Sequence, residues 1–121
     1  MQNFVSVGAI SAGISVAAGA FGAHGLRGKI PEEMLNVFET AARYQMYHAL
    51  GLILIGLVAM QKDSGMLQSA GYLMIVGTVL FSGSLYALSL GGPRFLGPIT
   101  PLGGLSFMIA WGLFAFSLLR N

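Results

Sequence analysis

The stretch NFVSVGAISAGISVAAGAFGA, Asn3 to Ala23, contains no charged residue and almost nothing larger than valine or isoleucine. As an α-helix its roughly 21 residues extend about 31 Å, which matches the hydrocarbon thickness of a bilayer. Ala18 and Ala20 resemble the small residues of a signal-peptide cleavage site. A signal peptide also needs a basic leading region, and no Lys or Arg precedes Arg27. The segment is therefore expected to stay in place as a membrane span.

The rest of the chain has the same character. Of 121 residues, 55% are hydrophobic and 8% charged, against roughly 25% charged in ordinary soluble domains. A water-soluble chain this small has a large surface to cover and would need that charge. Three further apolar segments follow, Tyr44–Gln61, Met66–Leu90 and Pro101–Leu119. The expected fold class is all-α: one transmembrane domain over residues 1–121, an integral membrane four-helix bundle with spans 3–23, 44–61, 66–90 and 101–119.

The connections differ in kind. Gln61–Gly65, QKDSG, is a minimal turn that makes the second and third helices antiparallel neighbours. Gly91–Thr100, GGPRFLGPIT, is too rich in Gly and Pro to be helical throughout. Thr100 followed by Pro101 reads as an N-cap with proline in the first helical position. Residues 24–43 are the longest hydrophilic stretch. Gly25 and Gly28 end the first helix, and Pro31 with Glu32 and Glu33 starts an amphipathic one. Met34, Phe38, Ala41 and Gln45 share one face, while Glu32, Asn36, Glu39 and Arg43 share another. This helix is expected either to lie on the membrane surface or to run directly into the second span.

Function classes narrow by exclusion. The six basic residues, Arg27, Lys29, Arg43, Lys62, Arg94 and Arg120, form no patch, so nucleic acid is not an expected partner. The absence of cysteine removes disulfides and thiol chemistry together. No phosphate loop, nucleophile elbow or paired membrane carboxylates occur, so no enzymatic activity is expected. No cofactor is expected either. Two histidines without a third ligand, Glu39 being the one conceivable addition, do not make a zinc site.

Three features could carry function. Gly8, Ser11, Ser15, Gly19 and Gly22 put small residues on one face of the first helix, suited to packing within the bundle or to a homo-oligomer interface. Thr78, Ser82, Tyr86 and Ser89 put hydroxyls on one face of the third. Those hydroxyls either bond within the bundle or line a small cavity. His24, Glu39, Arg43, Tyr44 and His48 gather near one membrane surface, where ionisable groups face protein or water. His24 is expected to close the first helix by bonding into the cluster of Glu39, Arg43, Tyr44 and His48. With Ser82 and Tyr86, these residues form the candidate ligand-binding or polar cluster.

The motifs GAFGAHGL (Gly19–Leu26), YQMYHALGL (Tyr44–Leu52), LFSGSLY (Leu80–Tyr86) and GPITPLGG (Gly97–Gly104) resemble, in this order, the YgdD/YwdK-like family of small membrane proteins of unknown function, family 423 of the domains of unknown function. The resemblance implies a four-helix membrane protein and supplies no activity, cofactor or catalytic residue. The expected function is a non-enzymatic small-molecule binding or permeation protein of the cell membrane, with the lipid bilayer as its surroundings and an unidentified ligand. It would act as an oligomer, because one four-helix bundle leaves little room for a pathway. The alternative is a structural or assembly partner of a larger membrane complex. Arg27, Lys29, Arg43 and Arg94 on one side outnumber Lys62 and Arg120 on the other, so the His24 loop is expected in the cytoplasm and both termini outside.

Overall fold

A computed structural model describes residues 3–120; residues 1, 2 and 121 of the expected domain lie outside the described residues. Four long helices cover nearly everything between. They are α1 (Phe4–Leu26), α2 (Glu32–Gln61), α3 (Gly65–Ser89) and α4 (Ile99–Leu119). All four have the length and apolar composition to cross a membrane. The all-α membrane fold read from the sequence is the observed one.

Each boundary has a local cause. α1 ends in a π-helical turn, Gly22–Leu26, and the chain then reverses through Gly28 at φ +84°. That left-handed geometry favours a residue without a Cβ. Pro31 precedes α2, and Glu32 and Glu33 occupy its first turn at the positive end of the helix dipole. The amphipathic segment is not separate from the second span: α2 is one continuous helix of 30 residues. The turn to α3 is closed by Ser64, whose Oγ accepts a hydrogen bond from the Leu67 N–H at 3.1 Å.

The start of α4 departs from expectation. Thr100 is not its N-cap; Pro98 is, and the helix begins at Ile99. Pro101 is still harmless, because the first four N–H groups of a helix have no intrahelical partner to lose. The Thr100 side chain is instead hydrogen-bonded to Ser84 on α3.

Packing follows chain order. α1 lies along α2, α2 along α3, and α3 along α4. Two apolar clusters result. One, toward the Lys62–Ser64 turn, joins all four helices through Phe4, Leu52, Ile55, Leu67, Met74 and Phe114. The second, at the opposite end, consists of Leu26, Leu35 and Phe38, with Ala18, Ile30 and Tyr86 against it.

Backbones come close where glycine permits it. A Cβ on Gly8 would stand 2.7 Å from the Ala49 carbonyl oxygen, and Gly103 lies against the backbone of Phe81. The small-residue face of α1 is thus used mostly inside the chain. Gly8 and Gly22 pack on α2, and Ser11 and Ser15 bond to it, whereas Gly19 has open space beside it. Gly8→Leu is expected to cost about 1–3 kcal/mol through overpacking. Gly13→Leu, at a position with nothing within 4 Å, is expected to leave the melting temperature in detergent nearly unchanged. Equal losses for the two variants would contradict this packing.

Candidate functional site: a polar layer between two apolar cores

The two apolar clusters are separated by a layer of hydrogen bonds centred on Gln45. This residue is 6% exposed, on the same face of α2 as Phe38 and Ala41. Its Nε2 donates to both the carbonyl oxygen and the Oγ of Ser11 on α1, each at 3.1 Å. Its Oε1 accepts from the Tyr86 hydroxyl on α3 at 2.6 Å. One amide therefore joins three helices. Two serines reinforce it: Ser15 Oγ donates to the Ala42 carbonyl at 2.6 Å, and Ser82 Oγ to the Ala41 carbonyl at 2.8 Å.

The hydroxyl stripe of α3, Thr78, Ser82, Tyr86 and Ser89, is fully engaged. Ser82 and Tyr86 bond to α2 as above. Thr78 donates one turn back to the Met74 carbonyl at 2.9 Å, and Ser89 to the Tyr86 carbonyl at 2.8 Å. Burial of such groups without partners would cost several kcal/mol each in lipid. Here each has a partner in the chain.

A second constellation surrounds His48. Its Nδ1 lies 2.7 Å from the Tyr44 carbonyl oxygen, one turn back. A carbonyl can only accept, so Nδ1 carries the proton and the ring is held in one tautomer. The imidazole stacks on Phe107 of α4, with centroids 3.4 Å apart and planes 7° apart. Tyr44 lies near-parallel to it at 6.2 Å, and Trp111 approaches at 5.9 Å. Phe81 closes the group against Tyr44 and Phe107. His48 is an aromatic-packed wedge between α2 and α4.

The expected cluster of seven residues is thus divided among places. Ser82 and Tyr86 belong to the Gln45 layer, and Tyr44 and His48 to the aromatic group. Glu39 and Arg43 line an outer groove between α1 and α2. His24 joins none of them. It is exposed, and among the described residues it makes no hydrogen bond. The expected link from His24 to residues 39–48 is made by Arg27 instead, whose guanidinium stands 3.8 Å from the Glu39 carboxylate. The π-helical turn directs His24 outward, and Arg27, three residues on, has the longer reach. Such an exposed pair contributes little to stability.

Sequence reasoning placed Gln45 on the correct face of α2 but not among the site residues. The available signal was one amide in an otherwise apolar row, Met34, Phe38, Ala41 and Gln45. Ser11 and Ser15 fit the small-residue face by size, and their hydroxyls are used as well.

Fold and polar layer together define a small multi-pass helical membrane protein held by interhelical hydrogen bonds. Residues 18–104 match the family model described as "Protein of unknown function (DUF423)". The chain is 52% identical over 112 residues to the UPF0382 membrane protein YwdK of Bacillus subtilis, covering 92% of this chain and 91% of that one. It is 46% identical over 120 residues to a UPF0382 membrane protein of Staphylococcus epidermidis, covering 99% and 98%. The chain belongs to this family of membrane proteins. No solved structure matches it.

Two outcomes follow for stability. His24→Ala should change it by less than about 0.5 kcal/mol, as for other exposed positions. Gln45→Leu should cost about 1–3 kcal/mol, because it strands the Tyr86 hydroxyl and the Ser11 side chain. Thermal unfolding of the purified variants in detergent measures both.

Proposed function

We propose that the protein is a non-enzymatic structural or assembly partner within the cell membrane rather than a conduit or a receptor for a solute in its interior. The observation that carries this reading is the use of the interior polar groups. The hydroxyls of Thr78, Ser82, Tyr86 and Ser89 and the amide of Gln45 bond to the chain itself. A permeation path needs polar groups free to replace a solute's hydration, and those along α3 are already engaged.

The outer surface supports the same reading. α1 lies against α2 over one face only and presents Ile10, Ile14 and Val16 outward, and α4 presents Met108 and Ile109. These faces are available to lipid or to neighbouring helices, where association depends on close packing. Homo-oligomerisation is one form this partnership could take.

Reconstitution tests the proposal. Liposomes containing the protein should show proton and small-solute leakage equal to protein-free liposomes. Photo-crosslinkers at Ile10 and Met108, used in intact cells, should yield a recurring adduct with one polypeptide. Leakage that rises with protein content and disappears in Tyr86→Phe would instead establish a path through the bundle and overturn the proposal.

A further inference from the structure

The open groove between α1 and α2, about 370 Å³, is independent of the packing role. Its lining is mostly apolar, Val16, Gly19, Ala42 and Met46 beside a Ser15 hydroxyl already bonded to the Ala42 carbonyl, and it also carries Glu39, Arg43 and Tyr47. Arg43 is exposed and makes no ion pair or hydrogen bond among the described residues.

The register of the helices gives the level of Arg43 in the bundle. The bonds Ser15–Ala42 and Ser11–Gln45 fix the register of the antiparallel pair. They place Arg43 level with Ser15 and Val16, near the midpoint of α1 rather than at its end. At 30 residues α2 extends about 45 Å, well beyond a hydrocarbon core of about 30 Å. The part from Tyr44 to Gln61 is about 27 Å long. Measured back from the Lys62 turn, the hydrocarbon boundary on α2 therefore lies within side-chain reach of Arg43, and the apolar second half of α1 continues past that level. Beyond it stand the polar turns of α2 and the small apolar cluster of Leu26, Leu35 and Phe38.

We propose that this groove binds an anionic phospholipid, with the phosphate on the Arg43 guanidinium. The acyl chain then runs along Tyr47, Leu50 and Leu54, which continue the same exposed face of α2 toward the membrane interior. The charges bordering the groove favour this occupant. Glu39 is engaged by Arg27, which leaves Arg43 as the uncompensated charge, matched by one phosphodiester. Free phosphate would match the charge but would leave the apolar floor uncovered. A second copy of the chain fits less well. Two copies inserted in the same orientation about a two-fold axis bring equal residues together at equal depth, and so set Arg43 against Arg43.

Native mass spectrometry of the full chain, titrated with dioleoyl phosphatidylglycerol, dioleoyl phosphatidylcholine or inorganic phosphate, tests the proposal. One phosphatidylglycerol per chain should be retained in preference to phosphatidylcholine, and inorganic phosphate should not be retained. Arg43→Gln should weaken phosphatidylglycerol binding about tenfold, as expected for loss of one charge-assisted contact. Gly19→Leu should block both lipids, since a Cβ there meets nothing within 4 Å and the side chain enters the groove without disturbing the fold. Should Gly19→Leu lose its helical signal, Arg43→Gln at its exposed position decides alone. Lys62→Gln, at the opposite membrane surface, should bind as the wild type does. Equal retention of the two phospholipids, unchanged binding in Arg43→Gln, or an equal loss in Lys62→Gln would overturn the proposal. So would a dimer that Gly19→Leu dissociates, which would make the groove a protein interface.

Discussion

The side-chain amide of Gln45 is the constraint on which the arrangement of the other helices depends. α1 packs on α2, and without a hydrophobic effect to hold them in lipid the two associate through close contact and hydrogen bonds. Gly8 supplies the contact, and Ser11, Ser15 and Gln45 supply the bonds. The same amide accepts from Tyr86 and so ties α3 into the layer. A one-turn slip of α1 would keep a serine opposite only one of Gln45 and Ala42, so polar groups as well as shape set the register.

The other half of the structure uses a different device. α4 packs on α3 through the close approach of Gly103 to Phe81, and the stacked rings of His48 and Phe107 join it to α2. Here the contact is aromatic and the polar atom is satisfied locally, at the Tyr44 carbonyl. The α3–α4 pair adds two hydrogen bonds of its own, Ser106 Oγ to the Leu73 carbonyl at 2.7 Å and Ser84 with Thr100, and the two pairs meet at the face between α2 and α3. The groups that look functional in the sequence are largely those that hold the helices together.

Much of this was legible from the residues. Uncharged runs of spanning length marked the helices, and the short QKDSG turn fixed the second and third as antiparallel. Tyr86 and Ser82 were recognised as a pair on one face, because helical spacing alone puts them there. What was not legible depends on local geometry. The π-helical turns at Gly22–Leu26 and Thr78–Ser82 have no simple sequence signal. The first of them turns His24 away from the residues it was expected to meet. Thr100 carried a sound capping signal, yet Ser84 offered its hydroxyl a partner and the helix begins two residues earlier. The contact between Gln45 and Ser11 spans 34 positions in the chain, a pairing that no local periodicity reveals.

A double-mutant cycle between Gln45 and Tyr86 tests the central role of the clamp most directly. Stability of the wild type, Gln45→Leu, Tyr86→Phe and the double variant would be measured by unfolding in the same detergent. The account predicts a coupling energy of about 1 kcal/mol, in the range of interhelical hydrogen bonds in membrane proteins. Losses that simply add would contradict it, and would mean that the layer is held by packing rather than by the hydrogen bond of Gln45.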